Sequence, residues 1–285
     1  MKISKLFLIL FLFSNRLIAQ TAEFDFYSPE YRLKFADYLY DSNDYLRALD
    51  EYRAYLKFSH NDTALFKYAD CFFNMRRYEE AAVNFKSLFF NSKLGEKAKL
   101  KFYLSCFLTG NLDNFRKLAE YDVYQPEEYK TNVKLLSAIS YLYEGKKASD
   151  TSEFFGAFPD SNKTEIKSLY YLKFNPPVKS ELKAGILSAI IPGAGKIYTG
   201  NISDGIASFI VTGLTAYLSV SAFQHDHKFR GYLFAGMAAA FYAGNIYGSV
   251  AAANIYNARI RVDTDKKIRF YFESRNYYMP DLNVK

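Results

Sequence analysis

The sequence holds one short cluster of metal-binding side chains, His225-Asp226-His227. Two histidines separated by one residue are able to bind zinc, but a zinc site takes at least three protein ligands. No third ligand is evident nearby, and the chain has only 3 histidines. We therefore predict an interfacial loop at this position, with no bound metal and no other cofactor.

A second segment, Gly193-Ala194-Gly195-Lys196, has the glycines and the lysine of a phosphate-binding loop. That motif needs another glycine five residues before its Gly-Lys pair and a Ser or Thr after it. Ile190 and Ile197 occupy those two positions, so the sequence excludes the motif. No activated-serine, metalloprotease or paired-carboxylate pattern appears elsewhere either. We predict that the protein is not an enzyme.

The two cysteines, Cys71 and Cys106, lie 35 residues apart. This spacing is close to that of a helical repeat described below, which predicts similar buried positions in neighbouring repeats. A disulfide between them is the alternative, since thiols of an exported protein are able to pair.

Two long stretches without a charged residue occupy the second half of the chain, at 205–224 and 231–258. A helix rises about 1.5 Å per residue and a hydrocarbon core is about 30 Å thick. We therefore predict two membrane spans, at about 205–224 and 231–256. The alternative is a buried helical hairpin in a water-soluble domain.

The second span carries small residues four apart, which would form a ribbon along one helix face. Helices in lipid associate by close backbone approach, which small side chains permit. Asn245 lies in the same span and needs a hydrogen-bond partner there. We predict that these residues pack against the hydroxyl-bearing first span. The predicted packing residues are Gly236, Ala240, Gly244, Asn245, Gly248 and Ala252.

A Pro-Gly segment precedes the first span and is too short to cross the membrane itself. It predicts a re-entrant or interfacial entry motif. The motif consists of Pro192, Gly193, Gly195, Tyr198 and Gly200. These residues resemble the P-G-x-G-x-x-Y-x-G signature of small bacterial two-helix membrane domains. The resemblance implies a glycine-rich membrane domain over 182–258, of poorly defined function.

The N-terminal residues 1–19 have the pattern of a signal peptide. Lys2 and Lys5 precede an unbroken apolar run at 6–13, and a polar region ends at Ala19. Eight apolar residues are too few to span a bilayer, so this pattern predicts export. A buried or interfacial N-terminal helix is the alternative.

Residues 21–175 carry an apolar pattern of helical period that repeats after 33 residues. Small residues recur at Ala36 and Ala69, and again at Ala48 and Ala81, with aromatic residues between and after them. This pattern resembles the tetratricopeptide repeat family, with two clear units and two weaker ones. The resemblance implies helical hairpins whose concave groove binds a protein or peptide. Groove candidates are Tyr38, Lys67, Asn74 and Lys101.

The C-terminal tail, 259–285, contains an alternating segment at 267–273 that predicts a short strand. Its basic residues conflict with the export signal, since two spans would place them outside the cytoplasm. A third crossing by the Pro-Gly segment would remove that conflict.

The sequence thus predicts an all-α protein, a tetratricopeptide-like helical hairpin stack followed by a transmembrane helical hairpin. We expect a membrane-anchored scaffold in the bacterial inner membrane, with its repeats in the periplasm and a protein partner in their groove. A component of an envelope transport or membrane-insertion machine is the alternative. The net charge of +7 is dispersed, so no nucleic-acid partner is predicted. Self-association through the membrane helices is a further possibility.

Overall fold

The structure is a computed structural model that describes residues 25, 27–90, 92–120, 124–275 and 282. Within these residues the chain forms thirteen α-helices and one short 3-10 turn, and it forms no β-strand. The predicted all-α class is therefore confirmed. The predicted signal peptide lies outside the described residues. The helices divide into two compact units between Leu136 and Ser137.

The first unit consists of consecutive short antiparallel helices. They are α1 (Pro29–Asp41), α2 (Tyr45–Leu56), α3 (Asp62–Asn74), α4 (Tyr78–Lys86), α5 (Gly95–Leu108), α6 (Leu112–Glu120) and the first part of α7 (Lys130–Glu144). Asn61 caps α3 by accepting a hydrogen bond from the Ala64 amide at 3.0 Å, which satisfies one of the free amides at a helix start.

A left-handed residue follows the end of every other helix, where the chain turns back on itself. These residues are Asn43, Arg76, Gly110 and Gly145, all with φ between 61° and 85°. Their spacings of 33, 34 and 35 residues follow the sequence repeat. A left-handed residue after a helix ends it and satisfies its last carbonyl groups. The same chain reversal therefore recurs in the two clear repeats and the two weak ones.

The small residues of the sequence repeat occupy the tightest positions of the first unit. Ala36, Ala48, Ala69 and Ala81 are all fully buried. The aromatic residues that recur with them, such as Tyr52 and Phe85, are fully buried as well. Neighbouring helices approach closely at the alanines, and the aromatic rings fill the space between hairpins.

The second unit contains the end of α7 and six further helices. They are α8 (Thr151–Gly156), α9 (Lys163–Phe174), α10 (Glu181–Ile190), α11 (Ala194–Tyr198), α12 (Ile202–Gln224) and α13 (Lys228–Ser274). One described helix, α12, is long and apolar enough to cross a membrane. Helix α13 has 47 residues and is about 70 Å long.

The strand predicted at 267–273 is wrong, because these residues continue α13. Thr264, Ile268 and Phe272 lie four residues apart, and all three are buried. The Phe272 ring packs edge-on against Tyr143 of α7 and parallel to Phe158. A stripe of period four buries one side of a helix, and here it outweighs the alternation that favoured a strand. The predicted tail is therefore largely a docked helix.

Polar contacts hold the same end of α13 on α9. The Lys173 amine forms an ion pair with Asp265. Glu165 accepts hydrogen bonds from the Tyr271 hydroxyl at 2.8 Å and the Arg275 guanidinium at 2.9 Å. These two donors lower the pKa of the Glu165 carboxyl below its usual value. The end of α13 is thus fixed by apolar contacts and by charge.

Candidate functional site

Helix α12 has the reverse of the burial pattern found in water-soluble proteins. Its buried residues are small or carry a hydroxyl group: Gly205, Thr212, Thr215 and Ser219. Its exposed residues are large and apolar, and they include Ile206, Phe209, Ile210, Leu214, Tyr217 and Val220. Helices embedded in lipid have this distribution, because small and hydroxyl side chains pack between helices while apolar side chains face acyl chains.

Two of the three hydroxyl groups buried along α12 donate to backbone carbonyl groups. Thr215 donates to the Val211 carbonyl of the preceding turn at 2.8 Å. Ser219 donates across to the Gly231 carbonyl of α13 at 2.9 Å. A buried hydroxyl is costly unless it is hydrogen-bonded, and these bonds avoid that cost without a water molecule.

The glycines of the entry motif allow backbone segments to meet directly. Gly193 has φ of 91°, and a Cβ atom there would lie 2.0 Å from the Gly205 carbonyl oxygen. A Cβ atom on Gly195 would lie 2.0 Å from the Ala184 carbonyl oxygen of α10. Any side chain at either position would force the backbone apart. The two glycines therefore fix α11 between α10 and the start of α12.

The other motif residues complete the turn between α10 and α12. Pro192 lies between these helices, and Gly200 takes a left-handed φ of 90° after α11. The Tyr198 hydroxyl accepts a hydrogen bond from the Ser180 amide at 3.3 Å, and Lys179 lies over its ring. The five predicted entry-motif residues thus build one tight turn.

A chain of hydroxyl groups links α10, α11 and α13 inside this turn. The Ser188 and Ser249 oxygens lie 2.6 Å apart, and both side chains are fully buried. The Gly195 amide donates to Ser188 at 2.9 Å, and Ser249 donates to the Asn245 carbonyl at 2.8 Å. These serines were not predicted as packing residues, because an isolated serine in an apolar run has no distinctive sequence signal.

A cavity of about 290 Å³ lies between α12 and α13, beside the linked hydroxyl groups of Ser188 and Ser249. It is lined by Lys196, Ala207, Ser208, Val211, Thr212, Ala240, Phe241, Gly244 and Asn245. Asn245 is 4% exposed, and neither its Nδ2 nor its Oδ1 atom has a hydrogen-bond partner among the described residues. Most buried amides are hydrogen-bonded, so an unpaired one that lines a cavity marks a place for a polar ligand.

Lys196 supplies the charge of the cavity. Its amine donates to the Ser208 hydroxyl at 2.8 Å and makes no ion pair with any described carboxylate. Lys196 was not predicted as a site residue, because the sequence analysis considered it only as the lysine of a phosphate-binding loop and excluded that motif. A usable signal exists in the sequence, since Lys196 is the only charged residue in the stretch 184–203.

The residues of α13 that were predicted to pack against the first span differ in their burial, and Asn245 is one of the buried ones. Ala252 is buried and Gly248 is half-buried beside the Lys196 side chain. Gly236, Ala240 and Gly244 are exposed, and a Cβ atom on Gly236 or Gly244 would contact nothing. The buried face follows the predicted Asn245 together with Ser249 and Ala253, one residue beyond the small-residue ribbon, and α10 contacts it through Ser188. Ala240 and Gly244 leave the space that forms the cavity.

Three of the four predicted groove residues of the repeats take part in ion pairs or hydrogen bonds. Lys67 lies 2.7 Å from Asp37, and Lys101 lies 2.7 Å from Asp70. Asn74 donates to Asp70 at 3.0 Å. The geometry of the Lys101 contact is that of an ionic pair without a well-directed hydrogen bond. The two ion pairs join the first helices of successive hairpins, whereas the Asn74 hydrogen bond lies within α3.

Tyr38 is the predicted groove residue that stays largely exposed. It is 66% exposed and lies on α1 with two further exposed aromatic residues, Tyr31 and Phe35. The Phe35 and Tyr38 rings are stacked at 6.5 Å between centroids. The spacing of three and four residues places all three rings on one side of α1.

The remaining candidates for chemistry are the histidine cluster and the two cysteines. His225 and His227 are exposed in the turn between α12 and α13, and no group of three potential metal ligands occurs in the described part of the chain. Cys71 is buried and Cys106 half-buried, and both are free thiols. Burial raises the pKa of Cys71 to about 12 and that of Cys106 to about 11, so both stay protonated at neutral pH.

Comparisons with protein families, with curated proteins and with solved structures found no match to this chain.

Proposed function

We propose that the protein is a non-enzymatic, membrane-anchored scaffold that binds a protein partner through its helical hairpins. One observation carries the anchoring: along α12 the small and hydroxyl residues are buried, while the large apolar residues are exposed. An exposed apolar surface of this extent is unfavourable in water. It becomes favourable when acyl chains of a bilayer cover it.

A second crossing by the first part of α13 completes a transmembrane hairpin. Polar residues such as Asn245 and Ser249 lower the mean hydropathy of this part of α13, but they are buried against neighbouring helices. Its exposed residues are small, aromatic or apolar except for Asn254, and the large apolar ones are Leu233, Met237, Phe241 and Ile255. The burial pattern thus favours a membrane location even where composition alone does not.

The contacts of α13 support two crossings over three. Helices α10 and α11 have 10 and 5 residues, too few to cross about 30 Å of hydrocarbon. The Lys173–Asp265 ion pair joins the helix before the membrane segment to the helix that leaves it. Both ends of the segment therefore lie on one side, with the histidine turn on the other.

The hairpins supply the recruiting surface. The recurring left-handed turns and buried alanines support a tetratricopeptide-like stack, whose first helices line a groove. On α1 that surface carries the exposed rings of Tyr31, Phe35 and Tyr38. Aromatic side chains are enriched in protein interfaces, because they bury a large area at low entropic cost. A periplasmic position of this surface depends on the signal-peptide pattern of residues 1–19.

Two measurements on the full-length chain test this proposal. The chain should stay in the pellet when membranes are washed at alkaline pH, and release into the supernatant would contradict anchoring.

A photo-crosslinking residue at Tyr38 should capture a discrete envelope protein. The same residue at Val83, which is 70% exposed on a second helix of a hairpin, serves as the control. Equal capture at both positions would contradict a specific surface on α1.

The alternative function is a part in envelope transport or membrane insertion. The unpaired amide of Asn245 in a cavity near the entry motif favours it, because transported groups meet such polar atoms inside membranes. Asn245→Leu separates the two functions. It should leave crosslinking at Tyr38 unchanged if the protein is a scaffold. It should abolish transport or membrane insertion of the cargo if the cargo passes through the cavity.

A further inference from the structure

The cavity between α12 and α13 opens on the outer surface of the helix pair. Ala207, Ala240 and Gly244 line it and are themselves exposed. The same surface carries the apolar side chains of both helices, including Val211 and Phe241 on the cavity wall. If α12 crosses the membrane as proposed above, the cavity faces the lipid and is entered from it.

The polar groups inside the cavity match an anion. The Lys196 amine carries a positive charge and uses one of its protons on Ser208. The Asn245 amide has two N–H protons without a described acceptor. Charged hydrogen bonds between an amine and an anionic oxygen are stronger than neutral ones, above all where water is excluded.

The site also lies near one face of the proposed bilayer. Ser208 is six residues beyond the first residue of α12, which places it about 9 Å along the helix. Lysine side chains at such depths extend towards the head groups while their stems stay among apolar atoms. A phosphate group at the membrane surface is therefore within reach of the Lys196 amine.

We infer that this cavity binds the phosphate group of an anionic membrane lipid. Lys196 neutralises the phosphate, Asn245 donates hydrogen bonds to its oxygens, and Val211 and Phe241 contact the first carbons of the acyl chains. This inference rests on the proposed membrane location, and it adds a specific ligand to it.

A second copy of the chain is the competing occupant, because exposed small residues also suit helix association. The stretches 205–224 and 231–258 contain no carboxylate, so the same face of a second copy offers no counter-charge to Lys196. An anionic lipid supplies that charge. A charged group in hydrocarbon is costly without a partner, which favours the lipid.

The test uses full-length protein in detergent and native mass spectrometry of the lipids that remain bound. Phosphatidylglycerol and phosphatidylcholine are offered at equal concentration, with inorganic phosphate as a separate competitor. We expect the wild type to retain phosphatidylglycerol in preference. Lys196→Gln should lower that retention about fivefold. Lys228→Gln removes an exposed charge at the start of α13, beyond the far end of α12, and should leave the retention unchanged.

A second pair of variants acts by filling space. Gly244→Leu places a side chain in the cavity, whereas Gly236→Leu adds the same side chain two turns away, where nothing lies within 4 Å. We expect Gly244→Leu to abolish the preference for the anionic lipid and Gly236→Leu to keep it. Because Lys196 is intact in both, this pair remains informative if Lys196→Gln fails to fold.

Three results would overturn the inference. Equal retention of the two lipids would show that the cavity has no lipid preference, even if the chain pellets with washed membranes. Displacement of the lipid by millimolar inorganic phosphate would identify a free anion as the ligand. A dimer that Gly244→Leu dissociates would identify a second copy. Release of the chain from washed membranes would instead contradict the proposed location itself.

Discussion

Asp70 and Lys101 carry opposite charges in the interior of the first unit, where each side chain is less than a tenth exposed. Asp70 also accepts hydrogen bonds from the Tyr40 hydroxyl at 2.6 Å and from Asn74. Burial and the Asp70 charge raise the pKa of the Tyr40 hydroxyl above its usual value, so it remains a donor. A buried charge is tolerated when it is paired and hydrogen-bonded in this way.

The equivalent pair one repeat earlier provides a matched comparison. Asp37 lies 33 residues before Asp70 and pairs with Lys67, but its side chain is 39% exposed. Asp70→Ala leaves Lys101 buried without a partner, and we expect it to lower the free energy of unfolding by about 3 kcal/mol. Asp37→Ala should cost less, about 2 kcal/mol, because water screens the pair with Lys67 and the main loss is the hydrogen bond from the buried Tyr52 hydroxyl. Urea unfolding followed by circular dichroism measures both, and equal losses would contradict the role of burial.

The entry motif makes a second prediction for single residues. Gly195→Ala puts a Cβ atom 2.0 Å from the Ala184 carbonyl oxygen, so α10 and α11 must separate. We expect a loss of about 2 kcal/mol, seen as a lower temperature of half-loss of the monodisperse peak in detergent. Gly213→Ala on α12 meets nothing within 4 Å and should not lower that temperature. Equal behaviour of the two variants would contradict close packing at Gly195.

At the scale of elements, the sequence predicts helices well where one periodicity dominates. The repeat of 33 residues located α1 to α4, because small residues recur wherever two helices meet. The end of α13 was misassigned because residues 267–273 satisfy two periodicities at once. Burial of Phe272 against Tyr143 of α7 and against Phe158 decides between them, and Ile268 is buried on the same side of the helix. Such a contact joins segments more than a hundred residues apart, which no local pattern records.

The position of the cavity likewise depends on contacts between distant segments, which a local sequence pattern does not record. The sequence indicates a ribbon of small residues on α13, but the helix that packs against this ribbon depends on the rotation of α13. The Ser188–Ser249 contact sets that rotation, so α10 occupies the face one residue further on. Gly236, Ala240 and Gly244 are left exposed as a consequence. Sequence alone therefore indicates close approach without indicating which helix approaches.

Docking of α13 gives a prediction at this scale. Phe272 is fully buried, whereas Phe270 on the same helix is 71% exposed. Phe272→Ala removes the ring that packs against Tyr143 and Phe158, and we expect a local loss of about 3 kcal/mol. Trypsin should then cleave after Lys266 or Lys267 much faster than in the wild type. Phe270→Ala should leave the cleavage rate unchanged, and faster cleavage in both variants would contradict docking by Phe272.

For the whole molecule, α13 imposes a geometric condition on any membrane arrangement. Its first part lies against α12, and its last part lies against α9, which precedes the proposed membrane segment. A single helix about 70 Å long connects them without a break. The proposed arrangement therefore requires an even number of crossings between α9 and the end of α13, with the tail charges on the same side as α9 despite the positive-inside rule.

Cysteine labelling in a background of Cys71→Ala and Cys106→Ala tests this condition. Asp160→Cys, Lys228→Cys and Arg259→Cys each introduce one exposed thiol. When intact cells are treated with a membrane-impermeant maleimide, Asp160→Cys and Arg259→Cys should either both be labelled or both stay unlabelled. Lys228→Cys should give the opposite result. Different labelling at Asp160→Cys and Arg259→Cys would require an odd number of crossings. Identical labelling at all three would mean that α12 does not cross, and since its apolar face is exposed in the folded chain, a partner protein would then have to cover it.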